Sequence, residues 1–221
     1  MNTYLIIGAG PGIGLASAQK FAAQGYKVVS AARSGKRLNE AIGSLRETGA
    51  KVVFEEVDAS NSAAVEKLIQ KYRDDLKVVH YNAGVLHYDA NGSLQAAPVD
   101  SITVESLSNE MTVNLTSALV AVKAAEDAFG KRGGSILLTG GGFGVEPNAD
   151  FINISVAKAG IRAATKALFE PLRAQNIHLA TVTVSTLVSA YSDKSKEIAE
   201  KFWSLHNQSD SSAWEWESVV V

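Results

Sequence analysis

Tyr4-Leu5-Ile6-Ile7-Gly8-Ala9-Gly10-Pro11-Gly12-Ile13-Gly14 is the stretch that decides the fold. The apolar run Tyr4–Ile7 has the length and composition of a buried strand. The segment after Gly14 places Ala18, Phe21 and Ala22 on one helical face. A tight glycine turn between strand and helix lets backbone N–H groups approach a pyrophosphate, and the helix N-terminus adds a favourable dipole. Glycine removes the Cβ atoms that would block the phosphate and the close helix–strand contact. A turn of this kind, opening a βαβ series, is expected to bind a dinucleotide through Gly8, Gly10, Gly12, Ile13 and Gly14.

Working outward, strand-like and helix-like segments alternate. Lys27–Ala31, Val52–Glu56, Val78–Tyr81, Ser135–Thr139 and His178–Val184 read as further buried strands, and the tail Trp214–Val221 as a seventh. Between them Leu38, Ala41, Ile42 and Leu45 fall at helical spacing, as do Val65, Leu68, Ile69 and Tyr72. Gly25 and Gly49 stand where left-handed helix ends are expected. The longest stripe runs Leu107, Met111, Leu115, Ala118, Val122, Ala125, Phe129, with Gly133 and Gly134 marking the return to a strand. Another helix is expected from about Phe151 towards Leu172, its last turn disturbed by Pro171. Strands alternating with helices predict an α/β, doubly wound Rossmann fold: one domain over residues 1–221, with a parallel sheet of about seven strands and helices on both faces.

The end of the second strand reads Val29-Ser30-Ala31-Ala32-Arg33. An NAD site usually places a carboxylate there for the ribose 2′-OH. Ala32 supplies no charge and Arg33 supplies a cation, which favours NADP over NAD.

Bulk composition excludes other classes of function. With no cysteine there is no disulfide, thiolate metal site or cysteine nucleophile. His80, His87, His178 and His206 form no metal-ligand pair, so no metal is expected. A net charge of −2 gives nucleic acid and anionic membranes no electrostatic purchase. No apolar run approaches the ~18 residues of a membrane span, and the first residues lack the pattern of a secretory signal. A cytoplasmic location is expected.

Taken in order, these residues resemble the short-chain dehydrogenase/reductase superfamily over nearly the whole chain. Gly8, Gly12 and Gly14 match its Gly-x-x-x-Gly-x-Gly turn, and Asn82-Ala83-Gly84 matches its Asn-Ala-Gly after the fourth strand. Asp58 matches the aspartate that holds the adenine amino group, Asn114 the helix asparagine that shapes a proton-relay water, and Lys158 the lysine of Tyr-x-x-x-Lys. The resemblance implies hydride transfer between the cofactor and a small-molecule substrate, with Lys158 on the nicotinamide ribose and Asn114 beside it. It also implies a homodimer or homotetramer through the helices containing Leu107–Phe129 and Ile154–Leu172.

Departures from the pattern bear on mechanism. Ile154 stands four residues before Lys158, where the family has its catalytic tyrosine. The serine position falls near Gly141 in Thr139-Gly140-Gly141-Gly142, and the wider Tyr–Lys spacing of enoyl reductases lands on Phe151. None of these supplies a hydroxyl. The Pro-Gly after the sixth strand is replaced by Val184-Ser185, while Ser189 is expected to fill the threonine position near the nicotinamide amide. The short segment up to Lys196 implies a reduced substrate lid.

Several residues carry two readings each. Asn114 serves either the relay water or a backbone-satisfied buried amide at a helix bend. Asp58 also suits a helix N-cap for the segment beginning near Ser60. His87 and Tyr88 are the nearby acid candidates. Trp203, Trp214 and Trp216 suit packing anchors. Two functions stay open: an NADP-dependent oxidoreductase whose proton comes from an unfamiliar group or water, and an inactive NADP-binding sensor or partner subunit.

Overall fold

The computed structural model describes residues 1–35 and 38–221. Seven parallel strands form one sheet in the order β3-β2-β1-β4-β5-β6-β7. They are β1 (Thr3–Ile7), β2 (Lys27–Ala32), β3 (Val52–Glu56), β4 (Leu76–Tyr81), β5 (Gly134–Thr139), β6 (Ile177–Val184) and β7 (Glu217–Val220). The helices are α1 (Ile13–Ala23), α2 (Asn39–Glu47), α3 (Ser62–Lys71), α4 (Val104–Met111), α5 (Ser117–Phe129), α6 (Ile152–Arg173) and α7 (Asp193–His206).

Strands buried on both faces need a core on each side. One face packs Ala18 and Phe21 of α1, Ile42 of α2, and Ile198, Phe202 and Leu205 of α7. The other packs Val65 and Ile69 of α3, Ala121 and Ala125 of α5, and Ile161 and Leu172 of α6. The strand order reverses between β1 and β4, and a crevice opens there beyond the carboxyl ends of the strands. Gly25 and Gly49 take φ of +81° and +85° after α1 and α2, as their positions imply.

The longest stripe is not one regular helix. Thr112–Thr116 between α4 and α5 is π-helical, and the wider turn rotates the face that follows it. Ala118, Val122, Ala125 and Phe129 are therefore buried, whereas Leu107, on the near side of the bulge, is exposed. Other boundaries move by a few residues. Asn61, rather than Asp58, caps α3, its Oδ1 accepting from Ala64 N at 3.1 Å. Pro171 lies inside the last turn of α6, which continues to Arg173. Phe151 ends a short 3-10 turn, Ala149–Phe151, just before α6, and β7 is the shorter Glu217–Val220. Trp214 stacks on His178 at 4.6 Å, and Arg162 and Lys166 lie over the Trp216 ring.

Candidate functional site

The glycine turn is held from behind by β4. Gly8 has φ +95°, and a Cβ there would lie 2.4 Å from Ala83 N. Gly14 is equally constrained, since its Cβ would meet Gly8 O at 2.6 Å. Gly10 differs, with nothing within 4 Å of its Cβ position, and the nearest atom to that of Gly12 is Val188 O at 4.0 Å. Two glycines thus serve internal packing and two face open space in front of the N-terminus of α1, the shape a pyrophosphate cradle requires.

A buried hydrogen-bond series fixes this turn. Tyr4 Oη lies 2.7 Å from His80 Nδ1, His80 Nε2 lies 3.0 Å from Thr139 Oγ1, and Thr139 donates to Asn82 Oδ1 at 2.8 Å. Asn82 Nδ2 then donates to Gly8 O at 2.8 Å. Because Thr139 spends its proton on Asn82, His80 must donate from Nε2 and accept at Nδ1, which sets its tautomer. Complete burial pushes the His80 pKa down to about 3, so the ring is neutral in this series. Sequence reading missed His80 and Thr139 because neither carries a motif signal; three strands bring them together.

At the outer end of the crevice, Arg33 and Asp58 face one another from the ends of β2 and β3. Hydrogen bonds from Ser60 hold the Asp58 carboxyl below its usual range, and the Arg33 charge adds to this. At the inner end, Lys158 Nζ donates to Thr139 O at 2.7 Å. Burial without an anionic partner pushes Lys158 down to about 8. A cavity of about 270 Å³ opens at this inner end, and its walls include Ile13, Asn82, Gly84, Gly141, Ile154 and Lys158.

Asn114 lies in the π-helical segment, 1% exposed, with Oδ1 accepting from Val85 N at 2.7 Å and Nδ2 directed at Val85 O at 3.4 Å. The same bulge leaves Val113 O free to accept from Tyr81 Oη at 2.6 Å. Asn114 therefore braces the loop that follows Asn82-Ala83-Gly84, which is the backbone-satisfied arrangement. Ser189 is exposed and does not line the cavity, whereas Thr186, Leu187 and Val188 of the same loop do. The loop turns earlier than its spacing implies, since Tyr191 N donates to Pro11 O at 3.2 Å and draws residues 186–188 over the glycine turn. Phe151 stacks on Phe143 with ring centroids 5.0 Å apart. It lines a side cleft behind Ile154.

Comparison with known proteins gives this geometry a family. A model of the short chain dehydrogenase family matches residues 2–199. The chain belongs to that family. It is 24% identical over 206 residues to an uncharacterized oxidoreductase of Bacillus subtilis, covering 91% of this chain and 74% of the relative. A short-chain dehydrogenase from Rhodopseudomonas palustris superposes with a TM-score of 0.87 at 24% identity, over 100% of this chain and 98% of the other. A metagenomic short-chain oxidoreductase crystallised with NADP superposes at 0.85 with 21% identity, over 99% and 96%. Short-chain dehydrogenases are oxidoreductases that bind nicotinamide cofactors and act on small molecules. The open space at Gly10 and Gly12 and the cavity reaching Lys158 fit such a cofactor. Among the described residues no cluster suits a metal ion, and no helix is long and apolar enough to cross a membrane.

Proposed function

We propose that residues 1–221 act as one dinucleotide-binding domain, an NADP-dependent oxidoreductase moving hydride between cofactor and a small carbonyl or enone substrate. The observation that carries this reading is Lys158, held 2.7 Å from Thr139 O on the wall of a cavity that continues past Asn82 and Gly84. A lysine kept half-buried without an anion is costly, and the cost has a use if its ammonium turns to the nicotinamide ribose hydroxyls. The cradle of Gly8, Gly10, Gly12, Ile13 and Gly14 would hold the pyrophosphate, and Asp58 the adenine amino group. Asn82, Ala83 and Gly84 would line the ribose and nicotinamide end. Arg33, exposed beyond β2, would meet the 2′-phosphate. The NADP found in the metagenomic relative supports that choice. Ser189 would reach the nicotinamide amide only if the 186–191 loop rearranged, and Thr186 is better placed.

When bound, the nicotinamide supplies a hydride equivalent. Around it, this chain departs from its family: Ile154 occupies the tyrosine position and the serine position falls near Gly141. Both residues line the cavity. Ile154 can neither hold nor deliver a proton. Those two residues favour a second reading, an inactive NADP-binding sensor or partner subunit. Titration of NADPH and NADH, followed by turnover against carbonyl and enone panels, separates the readings. Tighter binding of NADPH with measurable turnover supports the first, while tight binding with no turnover supports the second.

The remaining parts of the proposal concern assembly and place. Exposed Leu119 on α5 with Val156 and Leu168 on α6 form apolar outer faces suited to a two-fold contact. A homodimer or homotetramer is expected by light scattering at micromolar concentration, and a monomer would reject it. The proposed place of work is the cytoplasm.

A further inference from the structure

The proposed chemistry does not use Glu110, the most buried carboxylate near the cavity. Its residue is 7% exposed, and burying a carboxylate costs several kcal/mol unless it is paired. Its oxygens are committed separately. Glu110 Oε1 lies 2.9 Å from His87 Nε2, and Glu110 Oε2 accepts from Asn153 Nδ2 at 3.0 Å. His87 is thus the group placed to pair with it. The three residues come from α4, from α6 immediately before Ile154, and from the loop after β4.

Their location gives the cluster a use. His87, Glu110, Asn153 and Ile154 all line the side cleft. That cleft has a volume of about 20 Å³, room for about one water. Ile154 and Leu86 line both the cleft and the cavity at Lys158. Tyr88 also lines the main cavity, but among the described residues no hydrogen bond or ion pair orients its hydroxyl.

Resting on the oxidoreductase reading, we propose that His87, held by Glu110, supplies the proton of the reaction, and that the substrate is an apolar enone rather than a simple ketone. Simple ketone reduction generates a localised alkoxide, which needs an acid directly on the oxygen; neither Gly141 nor Ile154 can provide one. In an enone, the β-carbon takes the hydride from the reduced dinucleotide and the alkene π pair moves into a delocalised enolate. The α-carbon then takes a proton from Nδ1 of doubly protonated His87, which becomes neutral, through one water where cleft and cavity meet at Leu86 and Ile154. Half-exposed His87 recovers its proton from solvent. Substrate is reduced by two electrons, dinucleotide is oxidised by two, and the net proton comes from water. Glu110 acts as a positioning residue. The walls formed by Leu86, Leu94, Phe143, Ile154 and Leu187 suit an apolar ring.

The test uses the full chain with NADPH, 2-cyclohexen-1-one as probe and cyclohexanone as ketone control. Wild type is expected to reduce the enone and barely touch the ketone. His87→Gln and His87→Ala should lower enone kcat by about 10²–10⁴-fold, the usual worth of a general acid, with NADPH affinity retained. Free imidazole should restore part of the His87→Ala loss. Glu110→Gln should lower kcat with little change in KM. In the cofactor-free protein at pH 6, proton NMR should show a hydrogen-bonded imidazole N–H that vanishes in His87→Gln and moves in Glu110→Gln. Enone turnover in His87→Gln equal to wild type, absence of that N–H signal, or loss on Tyr88→Phe instead, would overturn the proposal while leaving the oxidoreductase reading intact. No turnover by wild type across the enone and carbonyl panels, with NADPH bound, would overturn both.

Discussion

The two ends of the crevice are built on different principles. At the turn between β1 and α1, backbone does the work: Gly8 and Gly14 are fixed by close contacts with Ala83 and Gly8 carbonyl, while Gly10 and Gly12 stay open. At the far end, side chains from α6, β5 and the loop after β6 line the cavity, among them Ile154 and Lys158 beside Gly141. At Gly8 and Gly14 the first region admits no side chain without a shift of backbone. On the proposed function the second keeps Lys158 on the cavity wall and lacks a hydroxyl at Ile154. The proposed function therefore makes binding and proton chemistry separable, each open to change with the other left in place.

The sharpest way to break that separation is to restore the acid. Gly141→Ser with Ile154→Tyr should raise ketone turnover by about 10²–10⁴-fold, since Lys158, already pushed down to about 8, lies on the same wall. The pair should exceed the sum of the single changes in free energy, because both act on one oxygen. A Cβ at Gly141 would lie 3.2 Å from Lys158 Cγ, so the lysine stem must yield by a few tenths of an ångström. Steady-state kinetics on wild type and three variants decides. Stability loss with no gain in rate would mean that the new hydroxyls are buried without partners.

On the binding side, Gly8→Ala combines a positive φ with a Cβ 2.4 Å from backbone. It is expected to cost about 3 kcal/mol or more. Denaturant unfolding checks this, and a loss below about 1 kcal/mol would mean that the turn shifts freely. A smaller effect should follow Arg33→Ala, which is expected to weaken NADPH by about 1.5–3 kcal/mol while leaving NADH nearly unchanged. Equal losses for both cofactors in calorimetric titration would place the 2′-phosphate elsewhere.

The smallest effect tests Lys158 by linkage. Its pKa is lowered from 10.5 to about 8, so between those pH values the unfolded chain binds more protons than the folded one. Its contribution to stability should therefore rise from pH 8 to 10.5 and stay flat below pH 8. The stability difference between wild type and Lys158→Met, followed by urea unfolding across that range, should show this slope. A flat difference would mean that the ammonium is well solvated.

What was legible in the sequence follows the same division. Strand positions, the parallel α/β arrangement and the glycine turn depend on local rules of periodicity, β-branching and positive φ, and these act over a few residues. The expectation that Ile154 and a residue near Gly141 stand at the hydroxyl positions comes from counting a motif back from Lys158. Asp58 suits a cap as well as the adenine amino group, and Asn61 fills the cap, since both lie within reach of the same helix start and only chain direction chooses between them. Ser189 was placed by counting, but the Tyr191 contact with Pro11 draws Thr186–Val188 over the turn instead. The long stripe concealed the π-helical segment because apolar spacing is insensitive to one widened turn. Its consequences, Asn114 on Val85 and Tyr81 on Val113 O, belong to tertiary structure. So do the Tyr4–His80–Thr139–Asn82 series and the His87–Glu110–Asn153 cluster, whose members are far apart in sequence. The sequence determined the cofactor turn by itself because glycine geometry is local; which polar side chains meet around it was decided only where strands and helices converge.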